Sequence, residues 1–154
     1  MMYWTNWDNN PKIEKAEMTG KKRVVIVSLR LQQPNGLTLD HDKNRLYWVD
    51  ASYHVLSYLL SYLDLNLNNR VTLISSYDVL ASPFGLTLLG DNLYWTDTRD
   101  QAVYQANVEI GSNVTIFFAG TGELMDIHGY NLSEYSTPGQ WKNSLFSKTL
   151  CMPY

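Results

Sequence analysis

The chain has 154 residues, 45% hydrophobic and 18% charged, with a net charge of −3. That is globular composition with enough chain for one domain of ordinary size, and the lack of any basic stripe beyond Lys21-Lys22-Arg23 removes support for nucleic-acid binding. No apolar run approaches the roughly 18 residues of a membrane helix.

A lone cysteine, Cys151, excludes an internal disulfide and gives no vote on redox compartment. The chain opens on Met1-Met2-Tyr3-Trp4 without a secretory leader, which taken literally implies the cytosol.

Taken in order, the first element is Tyr3-Trp4-Thr5-Asn6, followed by a strand pattern over 12–18, a turn at Thr19-Gly20 and a strand over 23–29. A fuller unit follows. Residues 36–40 alternate as a short strand, 41–44 make a polar turn, and 45–50 form a second strand ending Tyr47-Trp48-Val49-Asp50. Third and fourth strands are expected near 54–62 and 70–74. The next unit repeats this order at 85–89, 93–97, 102–108 and 114–119, with Tyr94-Trp95-Thr96-Asp97 in its second strand and the tight turn Gly90-Asp91-Asn92 before it. Met125-Asp126-Ile127-His128 resembles the first strand of a further unit, after which the pattern stops. Residues 132–154 are polar and aperiodic, and are expected to be loosely ordered.

The three aromatic copies lie 44 and 47 residues apart. The last two follow Pro34-Asn35-Gly36-Leu37-Thr38-Leu39 and Pro83-Phe84-Gly85-Leu86-Thr87-Leu88. Four short strands in a period of this length mark a β-propeller blade. The four-residue tandem copy at Leu56-Ser57-Tyr58-Leu59 and Leu60-Ser61-Tyr62-Leu63 accounts for the longer second spacing. Four added residues preserve which face each side chain takes, since a strand has period two. A bulged or lengthened third strand is expected there.

Tyr3, Trp4, Tyr47, Trp48, Tyr94 and Trp95 are read as wedges between stacked blades rather than ligand grips. Each buried ring contributes ~2–3 kcal/mol, with its polar tip finding a backbone partner. Asp50 and Asp97 are expected to accept backbone N–H bonds in the following turn. Asn6 replaces Asp in the first copy, which makes that corner weaker.

This motif, preceded by Pro-Asn-Gly-Leu-Thr-Leu-Asp, resembles the class B (Tyr-Trp-Thr-Asp) repeat of the low-density-lipoprotein receptor family, most closely the receptor-related proteins. The resemblance implies an all-β fold: a partial, open β-propeller of about three four-stranded blades from a six-bladed parent. It places the propeller over 1–131, with blades near 1–30, 34–76 and 83–119 and a stub at 124–131. The tail 132–154 is expected to be a remnant of a growth-factor-like module, and the chain a fragment, so that the missing leader and membrane span say nothing of the parent. The family implies an extracellular, membrane-anchored receptor whose propeller binds protein ligands for endocytosis or signalling and contacts neighbouring growth-factor-like modules. A matrix adhesion module of nidogen type is the alternative.

In a propeller, loops from strand two to three and from strand four to the next blade share one rim. Trp7, Asp8, Tyr53, His54, Arg99 and Asp100 are therefore the candidate ligand-binding surface, and His54 a candidate acid sensor. Asn113-Val114-Thr115 and Asn131-Leu132-Ser133 are glycosylation acceptor patterns, at Asn113 and Asn131. His41, His54 and His128 show no ligand spacing, and no nucleophile elbow or phosphate loop occurs. No enzyme, metal or cofactor is expected, and a propeller hydrolase is the remote alternative. The open faces of a part-ring are expected to drive association of the isolated chain.

Overall fold

A computed structural model describes residues 1–51, 59–75, 80–109, 111, 113–120, 122 and 124–129. Within them lie strands and no helix. The first sheet holds β1 (Met2–Asn6), β2 (Lys12–Ala16) and β3 (Val24–Val27). The second holds β4 (Pro34–Asp40), β5 (Arg45–Asp50), β6 (Leu59–Asp64) and β7 (Asn69–Ser75). The third holds β8 (Pro83–Leu89), β9 (Asn92–Asp97), β10 (Ala102–Asn107) and β11 (Thr115–Ala119). Every pairing is antiparallel between neighbours in sequence, the pattern of β-formers separated by short turns. Asn44, Asn68 and Gly90 supply the positive φ these turns need.

The sheets stack as blades, with β4 against β8 and β1 against β4. Alternation along the central strands decides what each seam contains. Tyr3 of the first sheet and Trp48 of the second share one core with Ile13, Val27, Leu46 and Leu63. Tyr47 of the second and Trp95 of the third share the next, with Val49, Leu60, Ile74, Leu93 and Tyr104. The Tyr side of each blade thus meets the Trp side of the following one. Trp48 and Trp95 are both 0% exposed. The expected all-β, open propeller is what forms: three sheets around an arc that does not close.

Close approach of blades explains the repeated glycine. A Cβ on Gly36 would stand 2.4 Å from the Leu86 backbone N, and one on Gly85 would stand 2.8 Å from the Asp126 Cα. Residues 124–129 therefore lie against β8 as β8 lies against β4. Gly129 N–H donates to Thr87 Oγ1 at 2.9 Å, and Ile127 is buried beside Tyr94 and Val103.

Two expectations need correction. The indole N–H groups of Trp48 and Trp95 make no hydrogen bond; Arg70 covers one ring at 5.0 Å and Tyr104 stacks on the other at 5.7 Å. The rings are held by area and π contact, because the seams offer no backbone acceptor at that depth. Second, the bulge expected from the tandem copy does occur, between Leu60 and Ser61, but the same shift occurs at Ile13/Glu14 and Val103/Tyr104. It belongs to the blade, and the duplication is not its cause. Residues 52–58, which hold most of the tandem copy, lie outside the described residues, as does the tail 130–154.

Candidate functional site

The rim is organised by the last residue of each motif. Asp50 ends β5, buried, and burial pushes its carboxyl up while the Gln33 and Gln32 backbone N–H groups oppose that shift. Those donors reach it at 2.7 Å from Gln33 and 3.1 Å from Gln32. Asp97, at 0% exposure, binds at both ends: Oδ2 accepts Ala81 and Ser82 N–H at 2.8 Å, and Oδ1 accepts Arg99 and Asp100 N–H at 3.1 and 3.2 Å. The expectation that the motif Asp caps the following turn therefore holds for Asp97 alone. Asp50 instead fastens the segment entering its own blade, because the antiparallel return of β4 beside β5 brings residues 32–33 to the carboxylate. Asn6 accepts only from Asp8 N–H, at 3.0 Å.

Arg70 fastens the same entering segment from the far strand. Its Nη1 donates to the Leu29 and Arg30 carbonyls at 2.8 and 3.2 Å while its guanidinium lies over Trp48. Sequence reasoning missed this residue. Arg23 occupies the matching register position in the first blade, over Trp4 at 5.3 Å, so the signal was a paired arginine.

Of the candidate binding residues, Trp7 is 55% exposed and Asp8 is exposed, its Oδ1 accepting Asn10 N–H at 2.8 Å. Together with Trp4, Thr5 and Asn6 they line an open groove of about 430 Å³. Arg99 and Asp100 pair with each other at 2.8 Å, and Tyr104 O–H donates to Asp100 at 2.8 Å. The Arg99 guanidinium holds the Asp100 carboxyl below its ordinary value; burial, then the Asp100 hydrogen bond, pushes the Tyr104 phenol up to about 12. Trp7–Asp8 and Arg99–Asp100 occupy corresponding loops on one rim, two blades apart. Tyr53, His54 and Asn131 lie outside the described residues. Asn113 is exposed in the turn before β11. Among the described residues no group of three or more His, Cys, Asp or Glu is placed to hold a metal ion.

Residues 1–41 match the model of the low-density lipoprotein receptor repeat class B. Over 127 residues, 82% of this chain, the sequence is 28% identical to the vitellogenin receptor of Solenopsis invicta, of which it spans 7%. The fold superposes on a chain in the crystal structure of a nidogen/laminin complex with a TM-score of 0.73 and 25% identity, covering 83% of this chain and 47% of that one. TolB from Acinetobacter baumannii and a luciferin-regenerating enzyme share the fold at 14% identity, with TM-scores of 0.58 and 0.59. The class B repeats read from the motifs are thus present, arranged as part of a propeller of the kind seen in the nidogen complex.

Proposed function

We propose that this chain is an extracellular, ligand-binding propeller segment of a lipoprotein-receptor-related cell-surface receptor that takes up or signals through protein ligands. One observation carries the reading. The loop at 98–101 is pinned by a buried carboxylate, so the rim presents Arg99 and Asp100 on a rigid frame, two blades from the open groove beside Trp7. A preorganised rim with an exposed Trp and charged groups suits a protein surface, since little side-chain freedom is lost on contact. We read it as non-catalytic. Its titratable groups are engaged with one another, Asp100 with Arg99 and Tyr104, and Asp97 with four backbone N–H groups. The likeness to the vitellogenin receptor makes a large lipid-carrying protein the first ligand to try. The nidogen likeness favours the second reading, a matrix adhesion module, and makes laminin the contrasting probe.

Surface plasmon resonance on the immobilised chain tests both. Saturable vitellogenin binding, weakened about tenfold by Trp7→Ala, is the expected result; a fully buried Trp anchor is worth ~2 kcal/mol or more, and a rim Trp somewhat less. Binding to laminin alone selects the matrix reading, and binding to neither probe sinks both.

A further inference from the structure

The two covered seams define a contact that is left open at two further places among the described residues. Opposite Ile13, Leu60 and Val103 stand Val27, Ile74 and Phe118, three equivalent positions on the outer strands. Val27 and Ile74 are 8% and 6% exposed because the next blade covers them. Phe118 is 54% exposed and its neighbour Phe117 is 47% exposed, on the Tyr94 side of the third blade. The opposite kind of surface is open on the first blade. Trp48 and Trp95 are sealed, whereas Trp4 is only partly buried and Val25, on the same side, is 51% exposed. Gly111, in the hairpin of the third blade, is pressed against Leu73 of the blade before it, while Gly20, in the matching hairpin of the first, has nothing within 4 Å.

The backbone is complementary in the same sense. The second and third sheets each have an innermost strand, β4 or β8, beside their Tyr-Trp strand. The first sheet has three strands, and β1, its Tyr-Trp strand, is an open edge. Residues 124–129 occupy the innermost-strand position of a following blade, yet belong to none of the three sheets. Charge agrees. At the covered seam the β4–β5 turn is basic and the β10–β11 hairpin acidic, with Lys43 2.6 Å from Glu109. At the open ends the corresponding β8–β9 turn carries Asp91, and the β2–β3 hairpin carries Lys21 and Lys22.

We propose that two copies of this chain associate head to tail, the Tyr94 side of each meeting the Trp4 side of the other, with residues 124–129 of each copy pairing with β1 of its partner as the missing fourth strand. A heterologous contact makes a closed ring only if its rotation closes. Here 83% of the chain superposes on 47% of the nidogen-complex chain, so one copy describes about half a turn and two complete it. Strand addition to an open edge supplies backbone hydrogen bonds, and the apolar sides supply the burial.

Sedimentation equilibrium of the whole chain is expected to give twice the 17.7 kDa chain mass. Phe118→Glu spoils one side and Val25→Glu the other; both sites are exposed, so each variant keeps its far-ultraviolet circular dichroism and runs as a monomer. Mixed in equal amounts they recover a species of twice the chain mass, because each retains the surface the other lacks. In that mixture and in the wild type, amides of residues 2–6 and 124–129 gain hydrogen-exchange protection with concentration. A monomeric wild type at tens of micromolar overturns the proposal. Open-ended larger particles overturn the closed pair. A Val25→Glu variant that stays dimeric shows like surfaces meeting like, and overturns it too.

Discussion

Trp95 and Asp97 sit two residues apart on one strand, and their chemistry differs in what holds them. Trp95 has a buried N–H without a partner, so its contribution is ring area and the stack on Tyr104. Trp95→Ala is expected to cost ~3–5 kcal/mol and Trp95→Phe less than half of that, measured by urea denaturation. Asp97 contributes through both oxygens. Asp97→Asn replaces one acceptor with an NH₂ group facing backbone donors, and should cost ~2–3 kcal/mol. Asp50→Asn should cost less, because Oδ1 alone reaches both Gln32 and Gln33 N–H. That these carboxylates cap backbone N–H groups was legible in the residue type. Which segment they cap was not, because it depends on how β4 and β8 return beside their neighbours.

Strand order, the alternation of Tyr and Trp sides, and the turn residues could all be read from spacing, since periodicity encodes which side chains share a face. Distance between sheets leaves no trace in periodicity. The Pro-x-Gly copies were visible, but the reason for Gly36 and Gly85 appears only when the next backbone is seen passing their Cα hydrogens. Gly36→Ala is expected to destabilise by ~1–3 kcal/mol, and more than Gly85→Ala. The Gly36 approach is shorter and meets a strand held in a full sheet, whereas Gly85 meets residues 124–129. Comparison of denaturation midpoints checks the order. The bulge carries a similar lesson: a tandem repeat in the sequence suggested it locally, while its recurrence opposite every motif Trp shows a property of the blade.

Across the molecule, acid should loosen several places together. Glu14 is held below its ordinary value of 4.5 by its hydrogen bonds with Arg23, Glu109 below 4.5 by Lys43 and Asp100 below 3.8 by Arg99. A carboxyl depressed in the fold adds stability that is full above its unfolded value and is lost as pH falls through its folded one. Asp50, raised by burial, acts in the opposite sense and gains as it protonates. Three groups against one predict a lower thermal midpoint at pH 3.5 than at pH 7, read by circular dichroism; an unchanged midpoint would contradict the assignment. The part-ring itself was legible from the repeat, and the candidate rim only in outline: loop membership follows from strand order, but the pinning of 98–101 to 81–82 and the role of Arg70 required coordinates. Because every seam joins the same two kinds of surface, unequal crossing-over that inserts or removes one unit joins surfaces that already fit. Such a gene can drift in length without passing through a protein that has to invent a new join.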